Sequence, residues 1–321
     1  MRPFRRNVAV AIDGGGIKGL MVARALEILE GELGRPAHDI FRLAAGTSTG
    51  SIIAAGISVG VSAAQLTSLY QSLGPGVFRK TLRSTVWPLT RYRYDNSYFI
   101  ERLNETLGEH TLMGDLWRAN PQTDVVITVF DLVENRNRFI KPWKPEYSDW
   151  PLVKAVLASS TVPTYFRVVD GRWADGGVGG YANPSFLAAY EICRCLGTDA
   201  PPYWGWDPAE TTLISLGTGR ATHGAPQADC WWPWQWVGPL LAGFYISNED
   251  RQVHLVNAFF RELDFRRFQV PMLEEIQMDD VRPQALSALL RYGDELGRRI
   301  LNDETDQEQD IVDPFGRRSD S

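Results

Sequence analysis

Two strand-to-helix units within the first sixty residues constrain the fold of this chain more than any other feature. In the first, the apolar run Asn7–Ile12 leads into Asp13–Gly16 and then into helical apolar spacing over Ile17–Leu33. In the second, the predicted strand Ile40–Ala45 leads through a glycine-flanked serine into the apolar helix Ser51–Val59. Consecutive units of this kind are typical of a parallel sheet covered by helices. We therefore predict an α/β fold with three layers, α/β/α, around a mostly parallel central sheet.

The rest of the chain extends this pattern as one domain. Most of 63–120 is predicted to be helical, with breaks at Gly74–Gly76 and around Pro88. Further predicted elements are strands at Asp124–Asp131 and Thr211–Ser215, a hairpin at Phe166–Trp173, and helices at Pro151–Ser159, Asn183–Leu196, Ser247–Arg261 and Pro283–Leu301. Residues 1–301 are expected to form a single domain, and the polar, charged tail 302–321 is expected to be disordered.

The second unit contains a candidate nucleophile. Ser48 lies in the middle of Gly46-Thr-Ser-Thr-Gly50, and Gly46 and Gly50 leave space for a sharp strand-to-helix turn. Such an elbow exposes a serine hydroxyl at the end of a sheet. A plain small-residue loop is the alternative reading of the motif by itself.

The first unit supplies candidate donors for an oxyanion. Gly14, Gly15 and Gly16 precede a helix at the same edge of the predicted sheet, where free backbone N–H groups attract negative charge. The N–H of Thr49, at the start of the next helix, is a further candidate. Lys18 follows the glycines and either stabilises this loop or points to solvent.

The base that would activate Ser48 is harder to identify. An α/β-hydrolase would use a late histidine, here His223 or His254, but neither has surroundings that support such a role. Asp175 stands at the end of a β-prone run and just before a glycine pair, whereas Asp170 belongs to an Asp-Gly turn. We therefore predict that Asp175 acts directly on Ser48 as a two-residue catalytic dyad.

Other functional classes fit the sequence less well. Gly14, Gly16 and Gly19 match the G-x-G-x-x-G pattern of dinucleotide-binding oxidoreductases, but no acidic residue ends the second strand to bind a ribose. A net charge of −6 without a long basic cluster argues against a nucleic-acid partner. Three cysteines and four histidines, poorly spaced, do not suggest a zinc site.

At three motifs in this order the sequence resembles the patatin-like phospholipases. The motifs are Asp13–Gly19 as the glycine-rich oxyanion loop, Gly46–Gly50 as the nucleophile elbow, and Asp175–Gly177 as the aspartate element. Further similarity covers Ala158–Pro163 and Leu216–Gly219, so that the resemblance extends over most of the chain.

The resemblance implies a patatin-like fold and a lipid acyl hydrolase that cleaves carboxylic esters of phospholipids or related lipids. It implies a Ser48/Asp175 dyad without a metal or other cofactor, and it makes Lys18 a loop-supporting residue. The alternative is a non-catalytic family member that binds or stores lipid. The presence of both Ser48 and Asp175 argues against it.

A narrower resemblance connects the chain to bacterial members that act as anti-phage effectors switched on by a cyclic nucleotide. It rests on DGGGIKGL, FRLAAGTSTGSIIA and Tyr94–Ser97. This resemblance implies a cyclic dinucleotide as an activator, and it assigns no residue to that ligand.

The segment Cys230–Ile246 concentrates four of the eleven tryptophans and is interrupted by two prolines, so it is too short to span a bilayer. It is read either as a buried aromatic layer or as an apolar surface for transient membrane contact. The N-terminal apolar run is short for a signal peptide. A cytoplasmic protein, peripheral at the membrane, is therefore expected.

Overall fold

The computed structural model of this 321-residue chain describes residues 1–79, 81, 84, 89–118, 123–194, 205–221 and 236–306. The described α-helices are α1 Gly19–Leu33, α2 Ala37–Ile40, α3 Thr49–Ser58, α4 Ala63–Val77, α5 Ser97–Leu107, α6 Met113–Arg118, α7 Leu152–Ser160, α8 Ser185–Arg194, α9 Val237–Phe259 and α10 Pro283–Asn302. The described strands are β1 Asn7–Ile12, β2 Leu43–Gly46, β3 Asp124–Asp131, β4 Arg136–Ile140, β5 Trp173–Asp175, β6 Thr211–Leu216, β7 Arg220–Ala221, β8 Asp264–Phe268 and β9 Pro271–Met272.

A mixed sheet of seven strands forms the centre of the molecule. Its order is β4-β3-β2-β1-β6-β8, and β5 pairs with β3 beside this path. The four inner junctions, from β3 through β2, β1 and β6 to β8, are parallel, whereas β4 and β5 both run antiparallel to β3. The predicted α/β fold with a mostly parallel sheet is confirmed.

Alternation along β1 shows how the sequence produces three layers. Val8, Val10 and Ile12 face the larger apolar core, which also contains side chains of α1, α3, α4, α5, α7 and α10. Ala9 and Ala11 face a smaller core formed with α8 and α9. Because successive strand residues point to opposite faces, one strand serves both cores and must be apolar throughout.

Several predicted boundaries were wrong for local reasons. The expected break at Gly74–Gly76 does not occur, because α4 continues to Val77 with Pro75 near its C-terminal end, where little of the helix remains to be disrupted. The strand expected from Ile40 begins only at Leu43. The predicted hairpin at Phe166–Trp173 is reduced to one antiparallel bridge from Val169 to Trp173 around the Asp-Gly turn.

Other predictions lie partly or wholly outside the described residues. The break at Pro88, the tail from 307 onward, His223 and the tryptophans at 231, 232 and 234 belong to this group. Within the described part of the chain, no helix is long and apolar enough to cross a membrane.

Candidate active site

Ser48 lies in a strained turn between β2 and α3. Its backbone angles are φ 54° and ψ −123°, a conformation that non-glycine residues rarely adopt. A Cβ added to Gly46 would lie 2.2 Å from the carbonyl oxygen of Gly50, and one added to Gly50 would lie 2.1 Å from that of Ile12. Both glycines are therefore required by close backbone contacts, and the turn has the geometry of a nucleophile elbow.

Three serine hydroxyls hold the backbone of Ser48 in this conformation. The N–H of Ser48 donates to Oγ of Ser159 at 2.9 Å. Its carbonyl oxygen accepts from Oγ of Ser51 at 2.6 Å and from Oγ of Ser160 at 3.0 Å. Because Ser159 and Ser160 end α7, the C-terminal end of that helix holds the elbow through two side chains.

The sheet register brings Asp175 toward the elbow. β2 pairs with β3 up to Ile127, and β5 pairs with β3 from Val129, where Asp175 is the partner residue. Since β4 occupies the other side of β3 over the same residues, β2 and β5 lie along one edge of β3 and their carboxyl ends meet near Thr128. Asp175 is the last residue of β5, and Ser48 follows the end of β2 by two residues. The register therefore brings both residues to the same region beside Thr128.

Local contacts fix the two chain ends at that meeting point. Oγ1 of Thr47 lies 2.6 Å from Oγ1 of Thr128, and a Cβ on Gly176 would lie 2.2 Å from the same Thr128 atom. The Asp175 side chain is fully buried, and its Oδ1 accepts a hydrogen bond from the N–H of Gly177 at 2.8 Å. The carboxylate is therefore shielded from bulk water, with one of its oxygens bound to the backbone.

The glycine loop faces the elbow across the end of β1. The N–H of Gly14 donates to the carbonyl oxygen of Ala182 at 2.8 Å, so this predicted oxyanion donor is already used in the structure. Among the described residues no acceptor contacts the N–H groups of Gly15, Gly16 or Thr49. These three groups remain the available donors, and Gly16 and Thr49 line the same pocket as Ser48.

Charged residues pack behind the glycine loop. Asp13 is completely buried and accepts two hydrogen bonds from the guanidinium of Arg267, at 3.0 and 2.5 Å. Burial, together with the neighbouring Asp13, raises the pKa of Glu249 to about 8. Lys18 is half-buried in the same region, and this burial lowers the pKa of its ammonium group, an effect that the carboxylates of Glu249 and Glu275 oppose.

Tyr70 is a site residue that sequence reasoning missed. Its hydroxyl lies 2.5 Å from Oγ1 of Thr49 and donates to the Thr49 carbonyl oxygen at 2.9 Å. Burial raises the pKa of this phenol, so it stays neutral and able to donate. No local motif marks Tyr70, because it reaches the elbow from α4, but its helical spacing with Leu66 and Leu73 placed it on a buried face.

An apolar pocket begins at Ser48. Its lining comes from the elbow, α4, α5, the loop after α7 and the segment near Met278: Gly16, Ile17, Ser48, Thr49, Ile52, Tyr70, Leu73, Val77, Phe78, Phe99, Ser160, Val162, Tyr165, Phe166 and Met278. The cavity volume is about 40 Å³. Sites for small organic ligands typically enclose roughly 300–1,000 Å³, so a ligand of that size enters only if the lining moves.

His254, the described member of the two histidine candidates, lies outside this pocket lining. It is on α9, whose nearby Val256 packs into the smaller core on the opposite face of the sheet.

The mostly parallel sheet, the strained serine elbow and the adjoining glycine loop define an α/β protein with a candidate site at the carboxyl ends of its central strands. The family model described as patatin-like phospholipase matches residues 10–189. The chain belongs to the patatin-like phospholipase family.

Known proteins similar to the chain differ in how much of it they match. A cGAMP-activated phospholipase of Vibrio cholerae is 30% identical over 233 residues, which are 65% of this chain and 63% of that relative. Patatin group J-1 of Solanum tuberosum is 25% identical over an alignment of 341 residues, covering 91% of this chain and 84% of the relative. The solved structure of VipD from Legionella pneumophila matches 94% of this chain and 67% of its own, with 12% identity and a TM-score of 0.46.

Proposed function

We propose that this protein is a lipid acyl hydrolase in which Ser48 and Asp175 form a catalytic dyad. The observation that carries the proposal is the meeting of the carboxyl ends of β2 and β5 beside Thr128, next to Ser48, which lines an apolar pocket. An acyl chain would occupy that pocket with its ester carbonyl at Ser48. Membership of a phospholipase family supports a phospholipid or related lipid ester as the substrate.

In the proposed reaction, Oγ of Ser48 attacks the ester carbonyl carbon while Asp175 accepts the serine proton. The tetrahedral intermediate then collapses, the ester C–O bond breaks, and the leaving alcohol takes the proton from Asp175. A water molecule, deprotonated by Asp175, attacks the acyl-serine and releases the fatty acid. The released serine recovers the proton, so that atoms and charges balance over the cycle.

The proposed oxyanion donors are the N–H groups of Gly15, Gly16 and Thr49. None of the three has an acceptor among the described residues, and Gly16 and Thr49 line the pocket at Ser48, as a site for developing negative charge requires. Removing one such donor typically costs about 3 kcal/mol of barrier stabilisation. Lys18, at the end of the turn Gly16–Lys18, is proposed to support this loop from behind.

A carboxylate is a weak base for a serine hydroxyl, so the dyad depends on its surroundings. Asp175 is completely buried and Ser48 is only 4% exposed. In such a water-poor environment the electrostatic interaction between the two groups is strengthened. The N-terminus of α3, directly after Ser48, also favours negative charge on the serine oxygen.

Ser48→Ala and Asp175→Asn are expected to remove turnover of p-nitrophenyl acyl esters while leaving the fold intact. Loss of the nucleophile or of the base should lower kcat by at least about a thousandfold. Circular dichroism and thermal unfolding would verify the fold of each variant. A fluorophosphonate probe followed by peptide mapping should label Ser48.

His254→Ala is the control for this experiment, since the proposal predicts nearly normal rates for that variant. Full loss of activity in His254→Ala together with normal rates in Asp175→Asn would show that the dyad is wrong. A folded wild-type protein that neither hydrolyses esters nor reacts with the probe would instead favour a non-catalytic lipid-binding or storage role.

A second proposal is that a cyclic dinucleotide opens the site. The relative from Vibrio cholerae is named as cGAMP-activated, and the pocket at Ser48 is far too small for a lipid chain as it stands. A ligand that binds the open form more tightly would shift the population toward it. Such gating would make this chain an inducible phospholipase of the kind used in anti-phage defence.

Product analysis by mass spectrometry on a mixed-lipid panel, with and without cyclic dinucleotides, tests this second proposal. Release of fatty acid only in the presence of one dinucleotide would support gating and would identify the head group and bond cleaved. Equal product yields with and without every dinucleotide would contradict it.

We further propose transient contact with membranes at the pocket mouth. Leu89 is 90% exposed and lines an open cavity of about 850 Å³ that shares Phe166 with the pocket at Ser48. Arg91 and Arg167, both exposed, line the same cavity and would face lipid phosphates. Trp236, the described member of the tryptophan segment, is 39% exposed.

A further inference from the structure

Arg267 connects an edge strand of the sheet to the start of the glycine loop. It lies on β8, is 5% exposed, and donates from both terminal nitrogens to the two carboxylate oxygens of Asp13. One of these nitrogens also donates to Oγ of Ser215 at 2.8 Å. The contact joins residues 254 positions apart in the sequence.

The register of the sheet explains how Arg267 reaches Asp13. Arg267 pairs with Ser215 on β6, and Ser215 pairs with Ala11 on β1, so the three form a row across the sheet. Asp13 follows two residues after Ala11, and its own N–H donates to the carbonyl oxygen of Leu216 at 3.0 Å. The guanidinium extends along this row to the residue where β1 gives way to the glycines.

The geometry of the pair restricts the orientation of Asp13. A planar guanidinium that binds both oxygens of a carboxylate fixes its direction and its rotation, which a single contact does not. Asp13 is immediately followed by Gly14, Gly15 and Gly16, which have no side chains of their own to hold them. Backbone contacts hold Gly14, whose N–H donates to Ala182 and whose carbonyl oxygen accepts from Oγ1 of Thr218 at 2.7 Å. On the other side of Gly14 the chain is fixed by Asp13, so the direction of the Gly15 and Gly16 N–H groups depends in part on where Asp13 is held.

We infer that Arg267 is a positioning residue for the oxyanion loop, acting through Asp13. The inference rests on the proposed function, because it assigns these N–H groups to the developing oxyanion. Arg267 does not line the pocket at Ser48, so it acts without touching the substrate.

Arg266 provides a matched control on the same strand. It is 1% exposed and is also held in an ion pair, with Asp264 at 2.6 Å, and it donates to the carbonyl oxygens of Arg2 and Pro3. A further ion pair joins it to Asp303 at 3.4 Å. Asp264 begins β8 and Arg2 and Pro3 precede β1, whereas the glycine loop follows the carboxyl end of β1. Both arginines are buried in ion pairs, but Arg267 binds Asp13 beside the glycine loop and Arg266 binds Asp264 on its own strand.

The experiment compares Arg267→Lys and Arg267→Gln with Arg266→Lys and Arg266→Gln in the full chain. Thermal unfolding, kcat and KM for a soluble p-nitrophenyl ester, and hydrogen exchange of the peptide containing Asp13–Gly19 would be measured for each. Misplacement of oxyanion donors should lower kcat roughly ten- to a hundredfold, with KM within about twofold, in the Arg267 variants only. Arg267→Lys should retain more activity than Arg267→Gln, and exchange at the loop should rise in both.

Normal kcat and normal loop exchange in a folded Arg267→Lys protein would overturn the inference, as would an equal loss of kcat in the Arg266 variants. If Arg267→Gln does not fold, Arg267→Lys, assayed below its melting temperature, decides the question. A wild-type protein without esterase activity would contradict the proposed function, and the exchange comparison would then still show whether Arg267 orders the loop.

Discussion

At the scale of single residues, the elbow shows how strain at Ser48 is maintained. A non-glycine residue at positive φ typically costs about 1–3 kcal/mol, and it persists only where neighbouring contacts determine it. Here hydrogen bonds from Ser51 and Ser160 and to Ser159 fix both sides of the Ser48 peptide unit. The serine is therefore held in place by its backbone, which leaves its hydroxyl to the pocket.

Gly50→Ala tests whether close backbone contact, and not flexibility, explains the glycines of the elbow. The new Cβ would lie 2.1 Å from the carbonyl oxygen of Ile12 and 2.9 Å from that of Asp13. Because both atoms are backbone, the ends of β1 and α3 must separate. We expect a loss of about 1–3 kcal/mol in the free energy of unfolding, measured with urea, and a loss of esterase activity.

Gly31→Ala is the control for that substitution. Gly31 lies inside α1, and a Cβ there meets nothing within 4 Å. Alanine should stabilise the helix by about 0.5–1 kcal/mol without changing activity. A Gly50→Ala protein as stable and active as wild type would show that the close contact at Gly50 is not required.

At the scale of elements, the candidate site is assembled from strand ends that belong to three parts of the chain. β1 supplies the glycine loop, β2 supplies the elbow, and the three-residue strand β5 supplies Asp175. β2 and β5 pair with the same edge of β3, β2 in parallel and β5 in antiparallel orientation, so their carboxyl ends face each other. The proposed dyad of Ser48 and Asp175 depends on this arrangement.

The sequence predicted the structure correctly at continuous apolar strands and at turns whose backbone contacts require glycine. β1 and β3 are continuous apolar runs, and the predicted bounds of both match the structure. The elbow glycines were found because a sharp turn excludes side chains, as their contacts show. β4 and β8 were missed, because RNRFI and DFRRF are rich in charge and lie at the two edges of the sheet.

The unpredicted site residues share a physical reason. Ser159, Tyr70 and Arg267 reach Ser48, Thr49 and Asp13 from elements far away in the sequence, and each contact depends on packing or register. Arginine in a strand pattern is usually exposed. The burial of Arg267 on β8 is explained by its ion pair with Asp13, which follows β1 on the other side of β6.

At the scale of the whole molecule, the two apolar cores cover the two faces of the sheet. The candidate site lies at the carboxyl ends of the parallel strands β1 and β2. The pocket at Ser48 belongs to the side of the larger core, between α4, α5 and the loop after α7. Beyond Phe166 the surface opens into the wider cavity lined by Leu89, Arg91 and Arg167. A net charge of −6 for the chain means that attraction to anionic lipid must come from such a local group.

Vesicle flotation tests membrane contact at this mouth. A Ser48→Ala background would keep the lipids intact, and binding to vesicles with and without phosphatidylglycerol would be compared. Leu89→Asp should reduce binding to both, because it replaces an inserting apolar side chain with a charge. Arg91→Gln with Arg167→Gln should reduce only the binding that depends on anionic lipid and low salt, by about 1 kcal/mol per arginine.

Phe259→Asp is the matched control for the apolar change. Phe259 is 65% exposed, and it lines neither the pocket at Ser48 nor the wider cavity at Leu89. This variant should float like its parent. Equal flotation of Leu89→Asp would exclude Leu89 from the contact, and Trp232→Ala and Trp234→Ala, outside the described residues, would then test the tryptophan segment. If those variants also float like the parent, the protein reaches its lipid without a membrane-docking surface at this end of the sheet.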